Sequence, residues 1–155
     1  MPQQQTVEFP FTSSRGAGSA PATPVYSIRS DNNGRRFMLT KYLTTATAGD
    51  LFVPDKSGTQ LGHTAATGNA LFGHVCQATA NHNGYGWVQV GGVGLHAVTT
   101  DGNVAAQGVL KVSAGVVLPI GAGTATANRQ WGQAFAADTS TSLAAGDYII
   151  FGGRY

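Results

Sequence analysis

Charge is what this sequence is shortest of. Asp, Glu, Lys and Arg make up 10% of its 155 residues, where about a quarter is usual in soluble domains. A free-standing surface normally relies on charge for solubility, so the scarcity points to a chain whose outside is largely covered by neighbours. Cys76 is the one cysteine, which excludes an intrachain disulfide and any zinc site built on cysteine pairs. Glu8 is the one glutamate among only 7 acidic residues, so the paired carboxylates of glycoside hydrolysis are poorly supplied. No apolar run approaches the ~20 residues of a membrane span, and no charged stretch leading into an apolar one opens the chain. The expectation is synthesis in a cytoplasm without export, and no membrane partner. Net charge is +2, with Arg35 and Arg36 the only adjacent basic pair. A basic stripe interleaved with aromatics is missing, so nucleic acid is not an expected partner.

What is present is β-structure, and it centres on Gly84–Ser113 (GYGWVQVGGVGLHAVTTDGNVAAQGVLKVS). Placing Gly91-Gly92 in a two-residue hairpin loop sets Val90 opposite Val93 and Val88 opposite Leu95 on one aliphatic face. Gln89, Trp87 and Tyr85 then fall on a mixed face, as a half-buried antiparallel pair requires. Asp101-Gly102 signals another turn, and Val109–Val112 a further strand.

Residues 1–24 are rich in Gln, Ser, Pro and Gly, and read as an extended arm. Val7, Phe9 and Phe11 alternate along it, a pattern suited to adding a strand to a partner's sheet edge. Val7, Phe9, Phe11 and Arg15 are therefore its candidate contacts. Residues 25–155 form the domain. Strands are expected at Val25–Ile28, Arg35–Leu43, Leu51–Val53, Leu71–Gln77, Val116–Ile120 and Tyr148–Phe151, with Pro119 marking a sheet edge. Asp31–Gly34 is a turn, and Thr59–Asn69 reads as loop. One device recurs: Thr47–Asp50, Ala105–Gly108 and Ala144–Asp147 each place small residues and a glycine turn before a hydrophobic strand. The spacings are unequal, so the device is repeated turn chemistry rather than a solenoid period. The fold class is all-β, a small antiparallel β-barrel or β-sandwich with an extended N-terminal arm.

Signals for catalysis or cofactor binding are thin. Gly92–Ala97 spells GxGxxA, but no helix pattern follows and no acid lies about 20 residues on. Cys76 and His74 share a strand face without a third orienting group, which suits a small buried cysteine. His63, His74, His82 and His96 lack ligand spacing, and Asp31–Gly34 lacks the distal glutamate of a calcium loop. The reading is a non-enzyme with no catalytic residue, cofactor or metal. Trp87, Trp131, Tyr85 and Tyr155 are aromatic anchors for a core or an interface, with a carbohydrate platform as the alternative. Arg35, Arg36, Trp131 and Tyr155 are the candidate contacts on the domain.

The stretches GYGWVQVGG, VTTDGNVAAQGVLKVSAG and QAFAADTSTSLAAGDYIIF, with the ragged polar N-terminus, resemble small structural proteins of tailed bacteriophages. Over residues 40–155 the chain looks most like capsid decoration, or cement, proteins. The resemblance implies a virion protein on the capsid surface that binds the major capsid protein and clamps neighbouring subunits. It also implies a homo-oligomer, with a trimer favoured. A tail or head-tail structural role, or a virion-displayed carbohydrate- or receptor-binding module, is the alternative.

Overall fold

The computed structural model describes residues 10–54, 61–64, 74–113, 116–120 and 130–151. Its strands are β1 (Ser14–Arg15), β2 (Ile28–Ser30), β3 (Arg36–Tyr42), β4 (Leu51–Pro54), β5 (Leu61–Thr64), β6 (His74–Cys76) and β7 (Tyr85–Val93), followed by β8 (Val98–Thr99), β9 (Val109–Ser113), β10 (Val116–Pro119), β11 (Gly132–Ala134), β12 (Ser142–Leu143) and β13 (Tyr148–Ile150). The all-β expectation holds: no helix occurs among the described residues.

Most strands join one eleven-stranded sheet, with β10 at one end of its strand order and β2 at the other. Within it, ladders link β7 to β6, β6 to β4, β4 to β5, β5 to β3, and β3 back to β7. This N-terminal half packs against the C-terminal sheet β10-β9-β11-β13, giving a sandwich-like arrangement. Side-chain alternation sorts the two cores. Met38, Tyr42, Phe52, Cys76 and Val88 share the N-terminal core. Their strand neighbours Leu51 and Val75 point the other way, into a cluster with Leu110, Val112, Ala134, Tyr148 and Ile150. A third cluster, Phe37, Leu39 and Trp87, lies on the outer side of β3 and β7.

The expected hairpin at Gly91-Gly92 does not form. β7 runs unbroken through both glycines and passes from one half of the molecule to the other. Phe37 pairs with Gln89 but Arg36 pairs with Gly91, so Val90 is the extra residue of a β-bulge. Immediately after it, Gly92 takes φ +90°, and β7 picks up β13 through Gly92↔Ile150 and Val93↔Ile149. A bulge beside a positive-φ glycine turns a strand sharply while keeping it paired. A Cβ at position 92 would also stand 2.9 Å from the Arg35 Cα. The glycines thus serve a bend between partners, not a reversal. Sequence pattern alone does not separate the two, because both need positive φ flanked by valines.

Gln89 fixes that bend from inside. Its fully buried side chain donates from Nε2 to the carbonyls of Gly91 at 3.2 Å and Val93 at 2.7 Å. Its Oε1 accepts the Leu95 N–H at 3.0 Å.

The recurrent turn device is real and wider than expected. Asp50, Gly108 and Asp147 each donate an N–H to the carbonyl three residues back, and Gly49, Gln107 and Gly146 hold positive φ. Ser27 and Gly84 repeat the bond, with Tyr26 and Asn83 at positive φ. Positive φ at the third position alone is the signature of a type II turn. Val25 and Tyr26 therefore lie in a turn, and the strand expected from Val25 begins at Ile28. Leu61–Thr64, expected as loop, is a strand between β4 and β3; its sequence has no apolar alternation, and its neighbours impose the pairing. Leu71–Gly73 of the expected Leu71–Gln77 strand lie outside the described residues. Pro119 does sit on β10 at the end of the sheet.

Replacing Gln89 with Leu is expected to cost about 2–3 kcal/mol in urea denaturation, because buried carbonyls and an N–H lose their partner. A loss below about 0.5 kcal/mol would show that the bulge and glycine hold the bend unaided.

Candidate functional site

The described surface offers two sheet faces of opposite character, one at each end of β7. The first is the outer side of β1, β2, β3 and β7. Phe11 reaches back from the N-terminal segment and seals it: its ring stacks on Phe37 at 4.4 Å and meets Trp87 edge-on at 4.9 Å. Ser14 and Arg15 then pair with Gly86 and Tyr85 as β1, and the Ser14 hydroxyl donates to the Thr79 carbonyl at 2.6 Å. Residues 10–15 of the arm therefore lie on the chain's own domain. Gly16 to Ala20 are exposed.

Around this aromatic seal the charge is one-signed. Lys41 and Arg15 flank Tyr85 in a cross-strand row, with Lys41 Nζ 5.8 Å from the tyrosine ring centre. Arg29 pairs across from Phe37. None of these four strands carries an acidic residue. Arg35 forms an ion pair: its Nε lies 2.6 Å from Asp31 Oδ2 in the turn before β3. Burial pushes the Asp31 carboxyl up, but hydrogen bonds from the Arg35 side chain and from the Arg35 and Asn33 N–H groups outweigh it and hold it low.

The second face is the outer side of β10, β9, β11, β13 and the end of β7. Val93, Ile149, Gln133 and Val109 form one row across four strands. Lys111 and Leu118 pair beside it. The exposed large apolar side chains Val93, Phe135 and Phe151 all belong to this row or the ends of its strands.

Of the expected contact residues, Phe11 and Arg15 reach the first face; Arg36, one residue before Phe37, alternates to the other side of β3, and Arg35 is held in its ion pair with Asp31. Trp131 is in the core, 3% exposed and stacked on Tyr148 at 5.6 Å. Trp87 is fully buried, so neither indole floors a sugar platform. Val7, Phe9 and Tyr155 lie outside the described residues. Lys41, Arg29 and the Val93–Val109 row were not singled out from sequence, although strand alternation puts Phe37, Leu39 and Lys41 on one face of β3.

The polar groups of the N-terminal core are held neutral. Burial pushes the Cys76 thiol up to about 12, which leaves it protonated and unreactive near neutrality. Burial pulls His74 down from 6.5 to about 4. Among the described residues no three His, Cys, Asp or Glu side chains converge on a metal-sized site.

Two outcomes follow. Phe11→Ala is expected to cost about 2 kcal/mol, since it uncovers Phe37 and Trp87, and to red-shift indole emission; an unchanged spectrum would refute the seal. The unfolded chain protonates His74 near 6.5 while the folded one resists to about 4. Stability is therefore full above pH 6.5 and declines, by about 3 kcal/mol in all, as pH falls to 4. Urea midpoints across pH 4–7 should show this slope in the wild type and its loss in His74→Gln.

No protein-family model matches this chain. No curated protein matches it either. Among solved structures, the head fiber gp8.5 N base in bacteriophage phi29 is similar at a TM-score of 0.45 and 9% sequence identity, covering 77% of this chain and 96% of that chain.

Proposed function

We propose that this protein is a non-enzymatic structural component of a phage virion, bound to the outside of the assembled capsid and holding neighbouring capsid subunits together. The observation that carries the reading is the basic face of β1, β2, β3 and β7, strands that hold no acidic residue, built on an aromatic seal. Cations fixed on paired strands suit a flat acidic protein surface, because the strands hold the charges at set spacings and little side-chain entropy is lost on docking. The low overall charge fits a body covered on several sides. The resemblance of GYGWVQVGG and QAFAADTSTSLAAGDYIIF to decoration proteins supplies the partner, the major capsid protein, and the basic face calls for an acidic patch on it.

A protein that binds only the assembled shell stabilises it by mass action. Many modest contacts repeated over a lattice then act together. In this reading, residues 10–15 serve the clamp by forming the docking face rather than by reaching to a neighbour.

The double variant Arg29→Glu/Lys41→Glu is expected to bind purified capsids at least about tenfold more weakly in co-sedimentation. Wild-type binding should weaken as salt rises. Salt-independent binding, undiminished in the variant, would sink this assignment of the face.

A further inference from the structure

The second face has a charge arrangement that singles out its occupant. Its centre is the row Val93, Ile149, Gln133 and Val109. Lys111 stands on β9, two residues beyond Val109 at one end of the row. Asp147 stands on the opposite side of the row from Lys111, two residues before Ile149 on β13, where the Phe135 N–H donates to the Asp147 carbonyl at 2.7 Å. By sheet spacings the two charges are separated by roughly 13 Å along the strands and about 10 Å across them. That is too far for a pair within one chain.

We propose that two copies of this chain meet on this face about a two-fold axis that passes beside Gln133. The axis lies in the contact plane, perpendicular to the line from Lys111 to Asp147. A two-fold contact is self-complementary: whatever residue i meets on the other copy, that residue meets i in return. The operation therefore sets Lys111 of each copy over Asp147 of the other, forming two equivalent ion pairs at opposite rims. Laid on the same strand grid, it brings Phe135 towards Val109 and Phe151 towards Val93 of the other copy, which covers the exposed apolar side chains. Gln133, at the axis, already donates from Nε2 to the backbone and side-chain oxygens of Gln107 at 3.1 and 3.3 Å, so the polar complementarity of the contact comes from the ion pairs at its rims. Among the described residues the face is apolar at its centre and carries Lys111 and Asp147 at its rim, the layout of a specific protein contact. A partner of one charge sign would leave either Lys111 or Asp147 opposed by its like; a second copy satisfies both.

This pairing is independent of what the basic face binds, and its test uses mass alone. Sedimentation equilibrium of the full chain is expected to give a dimer at micromolar concentration. Lys111→Glu and Asp147→Lys are each expected to raise the dissociation constant about tenfold or more. The double variant Lys111→Asp/Asp147→Lys exchanges the charges and should return it to within about threefold of wild type. Circular dichroism confirms that each variant is folded. A wild type that stays monomeric at high concentration overturns the proposal, and so does a double variant as weak as the single ones.

Discussion

A single bent strand carries the organisation of this molecule. β7 is nine residues long and pairs with β1, β3, β6 and β13, so neither half of the sandwich is complete without it. The bend is possible because Val90 is left unpaired in the bulge and Gly92 accepts a positive φ. It is held because Gln89, buried between the two halves, satisfies the carbonyls that the bend would otherwise strand. A buried amide that bonds to several backbone groups is costly to replace, since each lost partner leaves a desolvated polar atom behind. Geometry and polar satisfaction therefore act at the same four or five residues.

The two faces follow from that strand. Before the bend, Tyr85 and Trp87 of β7 lie under Lys41, Arg15 and Phe11; after it, Val93 lies beside Ile149 on the opposite half. Because both faces share one continuous backbone, their relative orientation is set by the bulge and not by a linker. A basic face that grips a shell and a neutral face that pairs with a second copy would then be rigidly coupled. Paired copies would present two basic faces, which is the arrangement a clamp between neighbouring subunits needs.

Much of the architecture is legible in the residues. Val109–Val112, Tyr148–Phe151 and the small-residue turns before them announce themselves through alternation, β-branching and glycine. Pro119 marks an edge because it has no N–H to give. Two misreadings have a common cause. Gly91-Gly92 looks like a hairpin and Leu61–Thr64 like a loop, because each is decided by strands distant in sequence. The partner of Val93 is Ile149, and the partner of Leu61 is Lys41. Trp131 reads in sequence as an anchor for a core or an interface, and the structure puts it in the core, stacked on Tyr148. The basic face was not legible for a similar reason. Arg15, Arg29 and Lys41 are far apart in the chain, and only the ladders bring them to one side.

The amino-acid sequence by itself determined the β class, the small-residue turns before β4, β9 and β13, the shortage of charge and the lack of catalytic spacing. These depend on local backbone preference and composition, which each short stretch carries with it. Only the tertiary structure decided that β7 bends instead of reversing, that Phe11 seals its own domain, and that the charges gather on one face while the exposed apolar side chains gather on another. Those depend on which distant strands pair, and pairing is settled by the burial of both cores at once.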